Sequence, residues 1–251
     1  VISMRRFFTA PEAVQGEYIE FDADLAHHMG KVLRLAPGEQ VTVCTGDGMV
    51  YVAELESFRK DSVTAKILET LENQKETEVE IVLYQGMPKG DKLELIIQKC
   101  TELGVGAVIP VETGRSIVHL DSKKAEKKIE RWQKIAHEAS QQSKRVQVPE
   151  IGPYLSWKQC LNQLKADEGL TIIFWEDEQT QSLKALLKSQ EQKPAKINLI
   201  VGPEGGLSEE EVNQLREIGA VSASLGKRIL RTETAGMAGV SIILYEYDEM
   251  N

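Results

Sequence analysis

Two glycine-bearing loops carry the residue types and spacings best suited to chemistry. The apolar run Ile197–Val201 opens into Gly202-Pro203-Glu204-Gly205-Gly206, and a second short run leads into Leu225-Gly226-Lys227-Arg228-Ile229-Leu230-Arg231-Thr232-Glu233-Thr234. Closely spaced glycines let main-chain N–H and C=O groups approach a ligand. Ser208 stands three residues before Glu211, the spacing of a helix capping box, so the first loop runs into a helix N-terminus. Such an end offers unpaired N–H groups and partial positive charge, which suits a carboxylate or a phosphate. A plain structural turn fits the same residues, because Gly-Gly turns enter capped helices throughout α/β proteins.

The elements that must position these loops change character along the chain. Residues 1–70 read as β structure: Tyr18–Phe21, Val41–Cys44, Val50–Ala53 and Ser62–Leu68 are short runs, and the Asp47-Gly48 pair between two of them is a hairpin signal. Short strands at roughly ten-residue spacing predict a small barrel. One helix is expected over Asp24–Leu35, ended by Pro37-Gly38. Glu69–Glu80 is polar and reads as a linker, which places domains at 1–72 and 73–251. Beyond it, the apolar runs Ile81–Tyr84, Ala107–Val111, Thr171–Trp175, Ile197–Val201 and Ser222–Leu225 alternate with helical patterns over Asp91–Leu103 and Ser122–Lys144. That alternation predicts an α/β domain with a mostly parallel sheet covered on both faces. The closing helix, Thr234–Tyr247, is apolar nearly all round and must be buried on several sides.

Composition narrows the function classes. The chain of 251 residues carries a net charge of −9, so it has no global basic signature for nucleic acid. Residues 73–160 are the least acidic third, yet Lys123, Lys124, Lys127, Lys128, Arg131 and Lys134 interleave with Glu126 and Glu130 and read as a solvated, ion-paired helix face. Three widely spaced cysteines and four histidines, with no Cys-x-x-Cys, point to a reducing cytoplasm and to no metal site. No apolar stretch approaches bilayer length, and residues 1–8 lack a signal-peptide core, so no membrane role is expected.

The loops and five further motifs resemble the RsmE family, the 16S rRNA uracil-N3 methyltransferases of the SPOUT superfamily. The resemblance rests on Gly202–Gly206 and on Leu225-Gly226-x-Arg228-Ile229-Leu230-Arg231-x-Glu233-Thr234-Ala235. It extends through His28, Val32-Leu33-Arg34 and Gly38, through Gly86-x-Pro88-Lys89-Gly90-Asp91-Lys92-Leu93-Glu94, and through Lys99-x-Thr101-Glu102-Leu103-Gly104. Arg115-Ser116 and Glu138-Ala139-x-x-Gln142-Ser143-x-Arg145-x-x-x-Pro149 complete it, and Lys227 departs from the proline common in the family.

The resemblance implies a PUA-like β-barrel before an α/β domain whose C-terminal part is threaded into a trefoil knot, a homodimer, and S-adenosylmethionine as methyl donor for 16S rRNA of the small ribosomal subunit. Phe174, Trp175 and Glu176, Val201 with Gly202–Gly206, and Leu225, Gly226, Ile229, Leu230 and Thr232 would then hold the cofactor. Arg231 and Arg228 would offset charge on the uracil oxygens, unless they are ion-pair partners of Glu204 or Glu233. Those carboxylates could take the N3 proton, bind backbone or ribose, or be dispensable if a small ionised fraction of uracil reacts. Arg5, Arg6, Arg34, Lys89, Lys92, Arg115 and Arg145 are the expected RNA contacts. Phe7 and Phe8 fit base stacking, but at least one is expected in the barrel core, and His28 reads more readily as a packing histidine. An RNA-binding or ribosome-assembly factor without catalysis is the main alternative. A nucleotide-binding enzyme ranks last, because neither glycine cluster has phosphate-loop or dinucleotide spacing.

Overall fold

The computed structural model describes residues 4–71 and 76–250. They form two compact units, one of residues 4–71 and 76 with 140–148 and one of 77–139 with 149–250. The inclusion of 140–148 in the first unit is not contained in a linear division at 72/73.

In the first unit, β1 (Arg5–Phe8), β2 (Val14–Gln15), β3 (Tyr18–Phe21), β4 (Gln40–Cys44), β5 (Val50–Phe58) and β6 (Val63–Leu71) make one barrel-like sheet in the order β1-β4-β5-β6-β3-β2. Only β1 and β4 pair in parallel. Alternation puts Ile19, Phe21, Val41, Val43, Ala53, Leu55, Val63 and Ala65 into one core. Phe7 and Phe8 are both buried, so neither is free to stack on a base. The helix expected over Asp24–Leu35 is shorter: α1 spans Ala23–His27, capped by Asp22, and His28–Val32 continue as one π-helical turn that ends at Arg34 with φ of +54°. His28 is exposed rather than packed. Strand β6 also extends through Leu71 into the stretch read as linker, and the expected linker residues 72–75 lie outside the described ones. Residues 146 and 148 pack on Phe8, Cys44 and Val50, and Glu76 accepts from the Arg145 Nε at 2.7 Å, the Gln147 N–H at 3.0 Å and the Val146 N–H.

The second unit alternates strand and helix: β7 (Glu80–Gly86), α2 (Lys92–Leu103), β8 (Ala107–Glu112), α3 (Ser122–Ser143), β9 (Glu150–Ile151), β10 (Leu155–Ser156), α4 (Trp157–Lys165), β11 (Leu170–Phe174), α5 (Leu183–Lys188), β12 (Lys196–Val201), α6 (Glu209–Glu217), β13 (Val221–Ala223) and α7 (Thr232–Glu246). All its strand pairs are parallel, in the order β10-β8-β7-β12-β11-β13 with β9 beside β8. Successive residues serve opposite faces. Val82, Tyr84, Ile173 and Ile200 pack with Cys160 and Leu164 of α4 and Val212 and Leu215 of α6. Leu83 and Leu199 face Gly236 and Gly239 of α7, which also packs on α2 and α5. The sheet is therefore covered on both sides, as its continuous apolar strands require. Helix α7 is not buried all round: Ile242 and Tyr245 are exposed. Among the described residues, no helix is long and apolar enough to cross a membrane.

Candidate active site

Three loops leave neighbouring strands at their carboxyl ends. Phe174 of β11 stands in register with Val201 of β12 and with Ala223 of β13, so residues 174–176, 201–206 and 224–230 emerge side by side. The carboxyl edge of a parallel sheet is where α/β folds bind ligands. Val201, Gly202, Pro203 and Thr232 are buried; Phe174, Trp175, Leu225 and Leu230 are half-buried; Glu176, Gly205, Gly226 and Ile229 are exposed. The expected capping box is formed, with Ser208 and Glu211 bonding reciprocally at the start of α6.

A buried polar network supports the glycine loop from below. The Thr232 hydroxyl donates to the Gly202 carbonyl at 2.5 Å and accepts from the Gln85 amide at 2.8 Å, and that amide also donates to the Gly86 carbonyl at 3.0 Å. Sequence reasoning missed Gln85. The available signal was a polar residue closing an otherwise apolar buried strand, which must find partners. Glu211 was read as a cap alone, yet its second oxygen accepts from the Gly114 N–H at 2.7 Å and fixes the turn after β8. From that turn Arg115 donates back to the Gly205 carbonyl at 2.7 Å. Gly206 adopts φ of +69° between the Glu176 carboxylate and the Arg115 guanidinium, where a Cβ would stand 3.3 Å from Glu176 Oε1. No L side chain fits that backbone comfortably.

Lys92 organises the charges. Its ammonium lies 2.8 Å from Glu204 Oε1 and 3.7 Å from Glu233 Oε2, while Glu204 also accepts from the Lys89 N–H at 3.1 Å. Burial is the largest single influence and works to raise the Glu204 pKa, but the Lys92 hydrogen bond and charge together with the backbone N–H groups of Glu204 and Lys89 outweigh it, and the carboxyl stays below its usual range. Glu204 in turn raises the pKa of Lys92. Arg228 and Arg231 are exposed and have no ion-pair partner among the described residues. The carboxylates are thus paired with a lysine and not with either arginine.

The expected RNA residues divide. Arg5, Arg34 and Lys89 are exposed, with Arg5 also donating to the Leu33 carbonyl at 3.1 Å; Arg6 is half-buried and donates to the Lys144 carbonyl. Arg145 is buried against Glu76, so its expected contact with RNA gives way to a structural ion pair. Lys92 and Arg115 are engaged within the site. Trp175 is covered on one side by the Arg216 guanidinium, 5.1 Å from its ring centroid. No cluster of three metal-ligating side chains occurs among the described residues.

A parallel α/β unit with backbone-rich loops at one strand edge, together with a barrel-like unit, has the architecture of RNA methyltransferases. Residues 75–244 match the RNA methyltransferase domain family and residues 21–68 the RNA methyltransferase PUA domain family. The chain is 38% identical over 248 residues to ribosomal RNA small subunit methyltransferase E of Bacillus subtilis, covering 97% of each chain. It is 36% identical over 230 residues to that of Synechocystis, covering 92% of this chain and 74% of the relative. The Neisseria gonorrhoeae protein of the same name, solved bound to S-adenosyl methionine, superposes with a TM-score of 0.83 at 32% identity over 97% of this chain and 98% of its own. The chain belongs to the ribosomal RNA small subunit methyltransferase E family.

Proposed function

We propose that this protein transfers a methyl group from S-adenosylmethionine to N3 of a uracil in the decoding region of 16S rRNA, within the small ribosomal subunit. The observation that carries this reading is the emergence of loops 174–176, 201–206 and 224–230 from adjacent strand ends. Their residues fit the cofactor. Gly226, at φ of +112°, has open space where a Cβ would project, and the exposed main chain beside Leu225, Ile229 and Leu230 offers hydrogen bonds and an apolar wall to a nucleoside. Once bound there, the cofactor supplies an electrophilic methyl group.

The protein's own contribution is alignment and charge. Loss of the N3 proton places negative charge on the uracil oxygens, and Arg231 and Arg228 are the unpaired cations positioned to offset it. Glu204 is committed to Lys89 and Lys92, and Glu233 Oε2 is buried without a hydrogen-bond partner, 3.7 Å from Lys92. We therefore assign both carboxylates to holding Lys92, and the reacting uracil is its ionised fraction, favoured by the arginines.

The unit formed mainly by residues 1–72 is assigned to RNA binding through Arg5, Arg6 and Arg34, and in the methyltransferase unit Lys89 is an exposed cation assigned to the same ligand class. The path from edge strand β13 back to the centre of the sheet through α7 supports a trefoil knot. Thr234, Ala238, Ile242 and Tyr245 recur at helical spacing on the side of α7 left uncovered, which supports a homodimer buried there. The three cysteines are free and buried, in keeping with a cytoplasmic protein.

Calorimetry with S-adenosylmethionine, followed by mass mapping of methylated uridine in rRNA from a deletion strain, tests the reading. Cofactor binding and one missing methyl group are expected. Absence of binding would leave an RNA-binding factor without catalysis.

A further inference from the structure

Helix α3 was read from sequence as an ion-paired face, and its geometry separates what the sequence interleaves. At about 100° per residue, Lys123, Lys124, Lys127, Lys128, Arg131 and Lys134 all fall within a sector of about 140°. Glu126 projects about 60° and Glu130 about 20° outside that sector, and Glu138 lies within it. Ala125, Trp132, Ala136 and Ala139 occupy the opposite, buried side.

Few of these cations are neutralised. Lys124 pairs with Asp121 at 2.9 Å, Arg131 with Glu94 at 2.8 Å, and Lys128 lies over the Trp132 ring. Lys123, Lys127 and Lys134 are exposed, and their ammonium groups have no hydrogen-bond or ion-pair partner among the described residues. Even Glu130 and Lys134, at the spacing and orientation that favour a helical pair, make no ion pair. With a rise of about 1.5 Å per residue, the three ammoniums form a row about 16 Å long.

We propose that this sector of α3 is a docking surface for the phosphate backbone of RNA, read as charge and not as sequence. The proposal rests on the methyltransferase reading for the source of the RNA. Charge complementarity selects the class of partner: on a chain of net charge −9, a polyanion is repelled except at local basic patches. A membrane does not fit, because the apolar side of α3 is already buried, Trp132 being 1% exposed, and nothing remains to enter a bilayer.

The test replaces Lys123, Lys127 and Lys134 together with glutamine and measures affinity for a short RNA duplex of arbitrary sequence across a salt series. The slope of log affinity against log salt should fall by about two to three, as expected for about one unit per lost phosphate contact. Affinity for S-adenosylmethionine should be unchanged, which also reports that the protein is folded. Arginine at the same positions should preserve the slope. Glutamine at Lys158, Lys165 and Lys184, an equal loss of charge on α4 and α5, should change it little. An unchanged slope in the α3 variant, an equal effect of the control, or α3-dependent binding to anionic vesicles would overturn the proposal. Failure of the wild-type protein to bind S-adenosylmethionine would instead remove the methyltransferase reading and leave the RNA result standing on its own.

Discussion

Replacing Gly239 by alanine sets two opposed effects against each other inside α7. In an open helix the change stabilises by about 1 kcal/mol, because glycine has the greater backbone freedom to lose. Here the new Cβ would stand 2.8 Å from both Phe174 Cζ and Leu199 Cδ2, and nearer still to Phe174 Cε2. Ordinary carbon contacts begin at about 3.5 Å, so the ring must withdraw by about 1 Å or the helix must lift from the sheet. Leu199 is fully buried and cannot yield. Overpacking of this kind costs about 3 kcal/mol at the upper end of its usual range, which leaves a net loss of about 2 kcal/mol. For a unit of this size, that lowers the melting temperature by roughly 4–8 °C. Phe174 also begins the first of the three loops proposed to hold the cofactor, so S-adenosylmethionine affinity should fall with stability. Thermal unfolding and calorimetry measure the two effects, and a Gly239→Ala, Phe174→Leu double variant should regain much of the stability. An alanine variant as stable as the parent, or more so, would refute the reasoning, since propensity would then have outweighed packing.

Lys92→Met should weaken cofactor binding severalfold by calorimetry while leaving RNA affinity nearly unchanged, and Lys92→Arg should restore most of it; the reverse pattern would make Lys92 an RNA contact. Because the folded pKa of Glu204 is depressed, its contribution is fully present above the usual carboxylate range and is lost as pH falls through the lower folded value. Cofactor affinity should thus hold from neutral pH down to about pH 5 and decline below it, and a Glu204→Gln variant should lose that acid limb. Arg231→Ala should cut methylation in a single-turnover assay without changing cofactor affinity. Burial pushes the Cys44 thiol up to about 11 and those of Cys100 and Cys160 up to about 12, so a thiol reagent at mildly alkaline pH should label none of them until the protein is unfolded.

What could be read in the sequence followed from local pattern. Strands β7, β11 and β12 lie within a residue or two of their apolar runs, because strands buried on both faces need unbroken apolar sequence. The Ser208 cap was legible for the same reason: its partners are three residues away. Partnerships across long separations were not. Lys92 meets Glu204 across 112 residues, and Gln85 meets Thr232 across 147. No periodicity encodes such pairs, so charge and a place in a loop or at an element end suggest RNA contacts for Lys92 and Arg115 without showing their partners within the site. Arg145 misled in the same way, since nothing local shows that Glu76 and a buried setting await it. The charges of α3 interleave in linear order, and only a helical projection shows that its cations gather within one sector.

The Thr232 bridge to Gly202 also bears on the order of events during synthesis. Every strand of the seven-stranded sheet precedes Thr232 in the chain, and so do Gln85 and the glycine loop that the hydroxyl holds. A nascent chain therefore contains every strand segment while the loop still lacks its anchor and the proposed substrate cation, Arg231, is still to come. Only a chain that ends between Ala223 and Arg231 carries all seven strands while the glycine loop lacks its Thr232 anchor, so the loop is completed in the last step of synthesis.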